Sequence, residues 1–197
     1  MAEAHTADAA EVAKVPVAEK ARGIAKSILK DESAGAAHEA TRALMSLLLC
    51  EPPARRTPIK SRQDELGALP ELREALSHIL HYGSYETRYL GLLALSYLLH
   101  CSPTNIRLLG DTPSIFEGIR DVLLVTGLEG LASSVVSQLA FGDRRNGEHI
   151  AATEGILENL TAVVVSGDPQ HQQAAICAIS NCAANSEELA LQALAVP

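Results

Sequence analysis

One short pattern occurs four times along the chain: an aliphatic residue, a serine, a variable residue, then a small or apolar residue. It reads Leu44-Met45-Ser46-Leu47-Leu48, Ala94-Leu95-Ser96-Tyr97-Leu98, Val135-Val136-Ser137-Gln138-Leu139 and Ala178-Ile179-Ser180-Asn181-Cys182. The serines are 50, 41 and 43 residues apart. The longer first interval contains Pro52-Pro53-Ala54-Arg55-Arg56-Thr57-Pro58, an insertion with three prolines. A period of roughly 40–47 residues is that of helical arrays, in which a single unit cannot bury its apolar face and must stack on neighbours.

The punctuation between repeats agrees. Gly67-Ala68-Leu69-Pro70 and Glu154-Gly155-Ile156-Leu157 each mark one helix ending and another beginning, because proline fits the first helical turn. Leu69, Leu72, Leu76, Ile79 and Leu80 recur on one helical face, as do Ile115, Ile119, Val122 and Leu123. Ser166-Gly167-Asp168-Pro169 is a break in which Asp168 caps and Pro169 opens the next helix. No stretch alternates with period two between turn signals, so the fold class is all-α. With 3% aromatic residues and no Trp, the core must come from Leu, Ala, Val and Ile.

The net charge of −8 is unevenly placed. Residues 1–66 balance 10 acidic against 10 basic side chains, whereas residues 67–197 hold 14 acidic residues, 6 arginines and no lysine. Such a body lacks the clustered cations that phosphate neutralisation needs, which excludes nucleic acid as a partner. It would instead attract a basic segment. Runs such as Leu92-Leu93-Ala94-Leu95 fall far short of the roughly 20 residues that span a bilayer, so no membrane partner is expected. The N-terminus has no apolar signal region, and Cys50, Cys177 and Cys182 sit in apolar surroundings. Buried reduced thiols then imply a cytoplasmic protein.

Asn146-Gly147-Glu148-His149-Ile150, with Gly155, the Ser-Gly-Asp-Pro turn and Gln172-Gln173-Ala174-Ala175-Ile176-Cys177-Ala178-Ile179-Ser180-Asn181, resembles an armadillo repeat. Gly67-Ala68-Leu69-Pro70 is similar to that family's Gly-Ala-Ile-Pro. The resemblance implies three helices per repeat and a right-handed α-solenoid of about four armadillo-like repeats. Residues 1–14 would be disordered or frayed, 15–52 a degenerate first repeat, 53–62 a basic loop, and 63–197 the armadillo-like repeats with the last one incomplete. The chain would then self-associate or continue at its C-terminal end. Gly155 matches the family's interhelical glycine and Asn181 its groove asparagine; Gln138, Tyr97 and Leu47 stand at the equivalent places. The import receptors of that family carry a Trp three residues before each asparagine, where this chain has Ala178, Val135, Ala94 and Leu44. A lysine cage cannot be built from those side chains.

The candidate peptide groove is therefore Tyr97, Gln138 and Asn181 on a concave face, taking an extended or basic segment of a protein partner. Thr57, ahead of Pro58 in the stretch carrying Arg55, Arg56, Lys60 and Arg62, is the candidate regulatory residue. His78 and His81 read as solvated rather than metal-binding residues, and no metal or cofactor is expected. No phosphate loop, nucleophile elbow or HExxH occurs, so the chain reads as non-catalytic. Two functions fit: an interaction scaffold, or a structural subunit of a large assembly such as an axoneme or cytoskeletal complex.

Overall fold

The computed structural model describes residues 16–30, 34–49 and 60–184. Within them lie eleven α-helices and no β-sheet. They are α1 (Val17–Lys30), α2 (Ala34–Leu48), α3 (Lys60–Gly67), α4 (Pro70–Tyr82), α5 (Tyr85–Leu99) and α6 (Pro103–Gly110). After these come α7 (Pro113–Leu123), α8 (Glu129–Ala140), α9 (Arg144–Ala152), α10 (Ile156–Ser166) and α11 (Pro169–Ala183). Each helix packs on the one three places further along the chain. Thus α1 meets α4, α4 meets α7 and α7 meets α10, while α2, α5, α8 and α11 pack in succession. The short helices α3, α6 and α9 touch in the same order.

Local chemistry sets the helix starts. Pro70, Pro103, Pro113 and Pro169 each occupy a first helical turn, where the missing N–H has no partner to lose. Ser84, Ser102 and Asp143 cap α5, α6 and α9 by accepting the backbone N–H of Thr87, Asn105 and Asn146. Asp168 accepts two N–H groups at α11, from His171 and Gln170, and the His171 bond foremost holds its carboxyl below the ordinary range. Gly155 turns the chain from α9 into α10 at φ +90°, a left-handed conformation that glycine adopts without Cβ strain.

Leu72, Leu76, Ile79 and Leu80 of α4 and Ile115, Ile119, Val122 and Leu123 of α7 are buried, so the periodicity located the core. Phe116 is the one aromatic side chain of that core among the described residues. Helix α3 starts at Lys60, so the basic stretch expected as a loop to residue 62 is helical from there. The Arg62 guanidinium donates to the Leu47 carbonyl at 3.3 Å, placing a cation on the last turn of α2, where unpaired carbonyls favour it.

A series of amides in the short helices joins the rows. Gln63, Asn105 and Asn146 stand 42 and 41 residues apart and are all buried. Gln63 Nε2 donates to the carbonyls of Tyr97, Leu98 and His100 at the end of α5. Asn105 Nδ2 donates to Leu98 O at 2.8 Å and Gln63 O at 3.0 Å. Asn146 Nδ2 repeats this one unit later, on Leu139 O and Ile106 O, both at 2.9 Å. The carbonyls of Leu98 and Leu139 lie in final helical turns, which have no intrahelical donors. Each amide also needs room: a methyl on Gly67 would overlap Asn105, and one on Gly110 would overlap Asn146.

Candidate functional site

Tyr97, Gln138 and Asn181 sit in α5, α8 and α11, each directly after a serine of the repeated pattern, and all three are half-buried. Two of them reach back to the preceding unit's serine. Gln138 Nε2 donates to Ser96 Oγ at 3.0 Å. Asn181 Nδ2 donates to Ser137 Oγ at 2.9 Å and to Ser137 O at 3.0 Å. The serine thus recurs beside these amides as an acceptor for the next unit. Ser46 lacks that partner because position 97 is tyrosine, and its hydroxyl bonds instead to Arg42 O at 3.2 Å. Gln138 Oε1 is closed to solvent and has no donor. Thr57 lies outside the described residues.

Gln138, Asn181 and Ser137 line a cleft of about 530 Å³ between the α5–α6 corner and the α8–α9 corner. Its apolar wall comes from Leu99, Pro103, Ile106 and Phe141. Phe141 follows the last residue of α8 and is 68% exposed. Cys101 reaches the rim from a left-handed backbone conformation, φ 53°, which ends α5 against α6. The volume falls in the range of about 300–1,000 Å³ typical of ligand sites.

Charge is absent from the later turns of α5, α8 and α11, whereas α2 of the same row carries Glu39 and Arg42. No Asp, Glu, Lys or Arg occurs between Tyr89 and Leu99, between Gly130 and Phe141, or between Gln172 and Ala183. The other two rows are more heavily charged, for example Glu71, Arg73 and Glu74 in α4 and Arg144, Arg145 and Glu148 in α9.

Two expectations about individual side chains change. His81 is not a free solvated residue: its Nδ1 lies 2.9 Å from Asp121 Oδ2, and Arg120 donates to Asp121 Oδ1 at 2.7 and 2.9 Å. Burial pushes the Asp121 carboxyl up, but the Arg120 guanidinium and His81 ring outweigh it and hold it below the ordinary carboxylate range. His78 stacks on Tyr82 with ring centroids 4.9 Å apart. Cys177 is exposed although its neighbours are apolar, because it occupies the outward face of α11; Cys182, five residues on, is buried. Burial pushes the Cys182 thiol up to about 12. Among the described residues no group of three His, Cys, Asp or Glu is placed to hold a metal ion. Among them, too, no helix is long and apolar enough to cross a membrane.

Sequence reasoning missed the buried series Gln63, Asn105 and Asn146, and it missed Phe141. A signal for the former existed: Asn105 and Asn146 each stand three residues after a capping Ser102 or Asp143. Phe141 carried no such signal, since an aromatic at a helix end is as readily a core residue. No protein-family model, no curated protein and no solved structure matches the chain.

Proposed function

We propose that the chain is a non-catalytic interaction module, a right-handed α-solenoid of about four armadillo-like repeats. It holds an extended segment of a protein partner along the row formed by α2, α5, α8 and α11. The observation that carries this reading is the cleft, which brings Gln138 and Asn181 from two different repeats to one opening beside an exposed Phe141. Helices packed in a row present a rigid track, and an extended segment gains main-chain and side-chain contacts along it with little reordering of the protein. The test is titration calorimetry of an identified partner against wild type and a Tyr97/Gln138/Asn181 triple alanine. Loss of affinity in a folded triple variant supports the groove; equal affinity rules it out.

A second reading, a structural subunit of a large assembly, is favoured by one observation. Tyr82, Leu124 and Val165 end their second helices 42 and 41 residues apart and are 76%, 70% and 76% exposed. Such a row is suited to permanent burial. The two readings separate in solution: a module stays dispersed alone and binds reversibly, whereas a subunit associates as its concentration rises.

A further inference from the structure

We infer that the segment held on this face is uncharged where it crosses α5, α8 and α11 and is anchored by an aliphatic or aromatic side chain seated in the cleft. This inference rests on the proposed function and names the partner chemistry of the same site.

Charge distribution is the first ground. A chain of net charge −8 invites a lysine- or arginine-rich ligand, yet α5, α8 and α11 contribute no carboxylate beyond their first turns, and Glu39 of α2 is already paired with Arg42. Glu86 and Glu129, the acidic residues of α5 and α8, both lie in first turns, away from the cleft at the opposite helix ends. Asp143 is the one acidic residue lining the cleft, and its Oδ1 already accepts the Asn146 N–H as the cap of α9. Arg144 and Arg145 follow it directly but pair with Glu148 and Asp111. A cationic side chain brought here would lose its hydration and find one carboxylate, already engaged as a helix cap, in exchange.

The chemistry of the wall is the second ground. Leu99, Pro103, Ile106 and Phe141 offer apolar surface, and Phe141 is exposed well beyond what a packed aromatic shows. Covering it removes apolar area from water, the main source of affinity in such a contact. Beside Asp143, the polar side of the cleft is formed by uncharged Ser137, Gln138 and Asn181. Gln138 Nε2 donates to Ser96 Oγ and Asn181 Nδ2 to Ser137, so that side presents uncharged amide and hydroxyl dipoles, which suit peptide groups better than ions.

The probe is a phage-displayed library of random linear peptides selected on the full chain. Synthetic copies of the enriched peptides are then measured by fluorescence anisotropy at low and high salt. Enriched peptides should lack basic runs and share an apolar residue, and their affinity should stay within about twofold as salt rises, since no ion pair is screened. Phe141→Asp should weaken them by roughly tenfold or more while leaving the helical circular dichroism intact. Bound peptide should also slow alkylation of Cys101 at the cleft rim, a readout that needs no variant. Basic peptides that weaken steeply with salt, yet still depend on Phe141, would overturn the inference and leave the groove standing. Peptides that bind Phe141→Asp and the Tyr97/Gln138/Asn181 triple alanine as tightly as wild type would overturn both, as would no enrichment at all.

Discussion

Two series of amides run through the molecule at nearly the same period, and they hold different things. Gln63, Asn105 and Asn146 are buried in the short helices and spend their N–H groups on carbonyls at helix ends. Gln138 and Asn181 are half-buried in the third helices and tie each serine of the pattern to the next unit. In the first series, a lost amide leaves carbonyls unpaired in the interior. In the second, the acceptors are the half-buried hydroxyls of Ser96 and Ser137 and the Ser137 carbonyl, closer to water than the first series. The same residue type is thus structural in one row and available to function in the other, because of what surrounds it.

The sharpest way to break the contrast is steric. Gly110→Ala should cost roughly 2–4 kcal/mol in urea unfolding, since its methyl displaces Asn146 and strands two carbonyls. Gly23→Ala, with nothing within 4 Å of the added methyl, should instead gain about 0.5–1 kcal/mol from helix propensity. Equal effects at the two glycines would show that the amide does not need the space.

Deleting the amides gives the next largest effect. Asn105→Ala should cost about 1–3 kcal/mol through the carbonyls of Leu98 and Gln63. Asn181→Ala should cost only about 0.5–1.5 kcal/mol of stability. It should weaken partner binding by roughly tenfold or less, with a larger loss in the triple alanine. A stability loss at Asn181 as large as at Asn105 would erase the distinction between the rows.

The two thiols of α11 extend the comparison to a single helix. Iodoacetamide at mild pH should label Cys177 and Cys101 in the native protein and spare Cys182, whose buried thiol resists forming the thiolate. Peptide mass spectrometry reads this directly, and native labelling of Cys182 would mean that α11 opens from α8.

The smallest effect concerns acid. The folded Asp121 carboxyl titrates below its ordinary 3.8, so its contribution is full above that value and is lost as pH falls through the lower folded value. The pair is partly exposed, which limits the effect to within about 1 kcal/mol. Unfolding curves of Asp121→Asn and wild type should converge as the pH is lowered below 3.8. Curves that stay parallel down to low pH would show that the carboxylate adds nothing.

Much of the fold was legible beforehand. The start of α11 at Pro169 and the apolar faces of α4 and α7 followed from caps and periodicity. The cleft was not legible, because its wall joins Leu99 and Ile106 to Phe141, about one repeat apart in sequence. Nor was it legible that the uncharged stretches of α5, α8 and α11 pack in one row, since that depends on which helices lie side by side.

The sequence by itself determined several helix starts, the apolar faces of α4 and α7, and that the pattern recurs. Those outcomes rest on local forces: proline at a first turn, a hydroxyl or carboxylate cap, glycine at positive φ, and apolar spacing on one face. Only the tertiary structure decided that Asn105 is a buried clamp, that Asn181 bonds to Ser137, and that Cys177 faces outward while Cys182 does not. Each of these depends on which neighbouring helix lies against a given face. That is fixed by packing between units some forty residues apart, which no local pattern encodes.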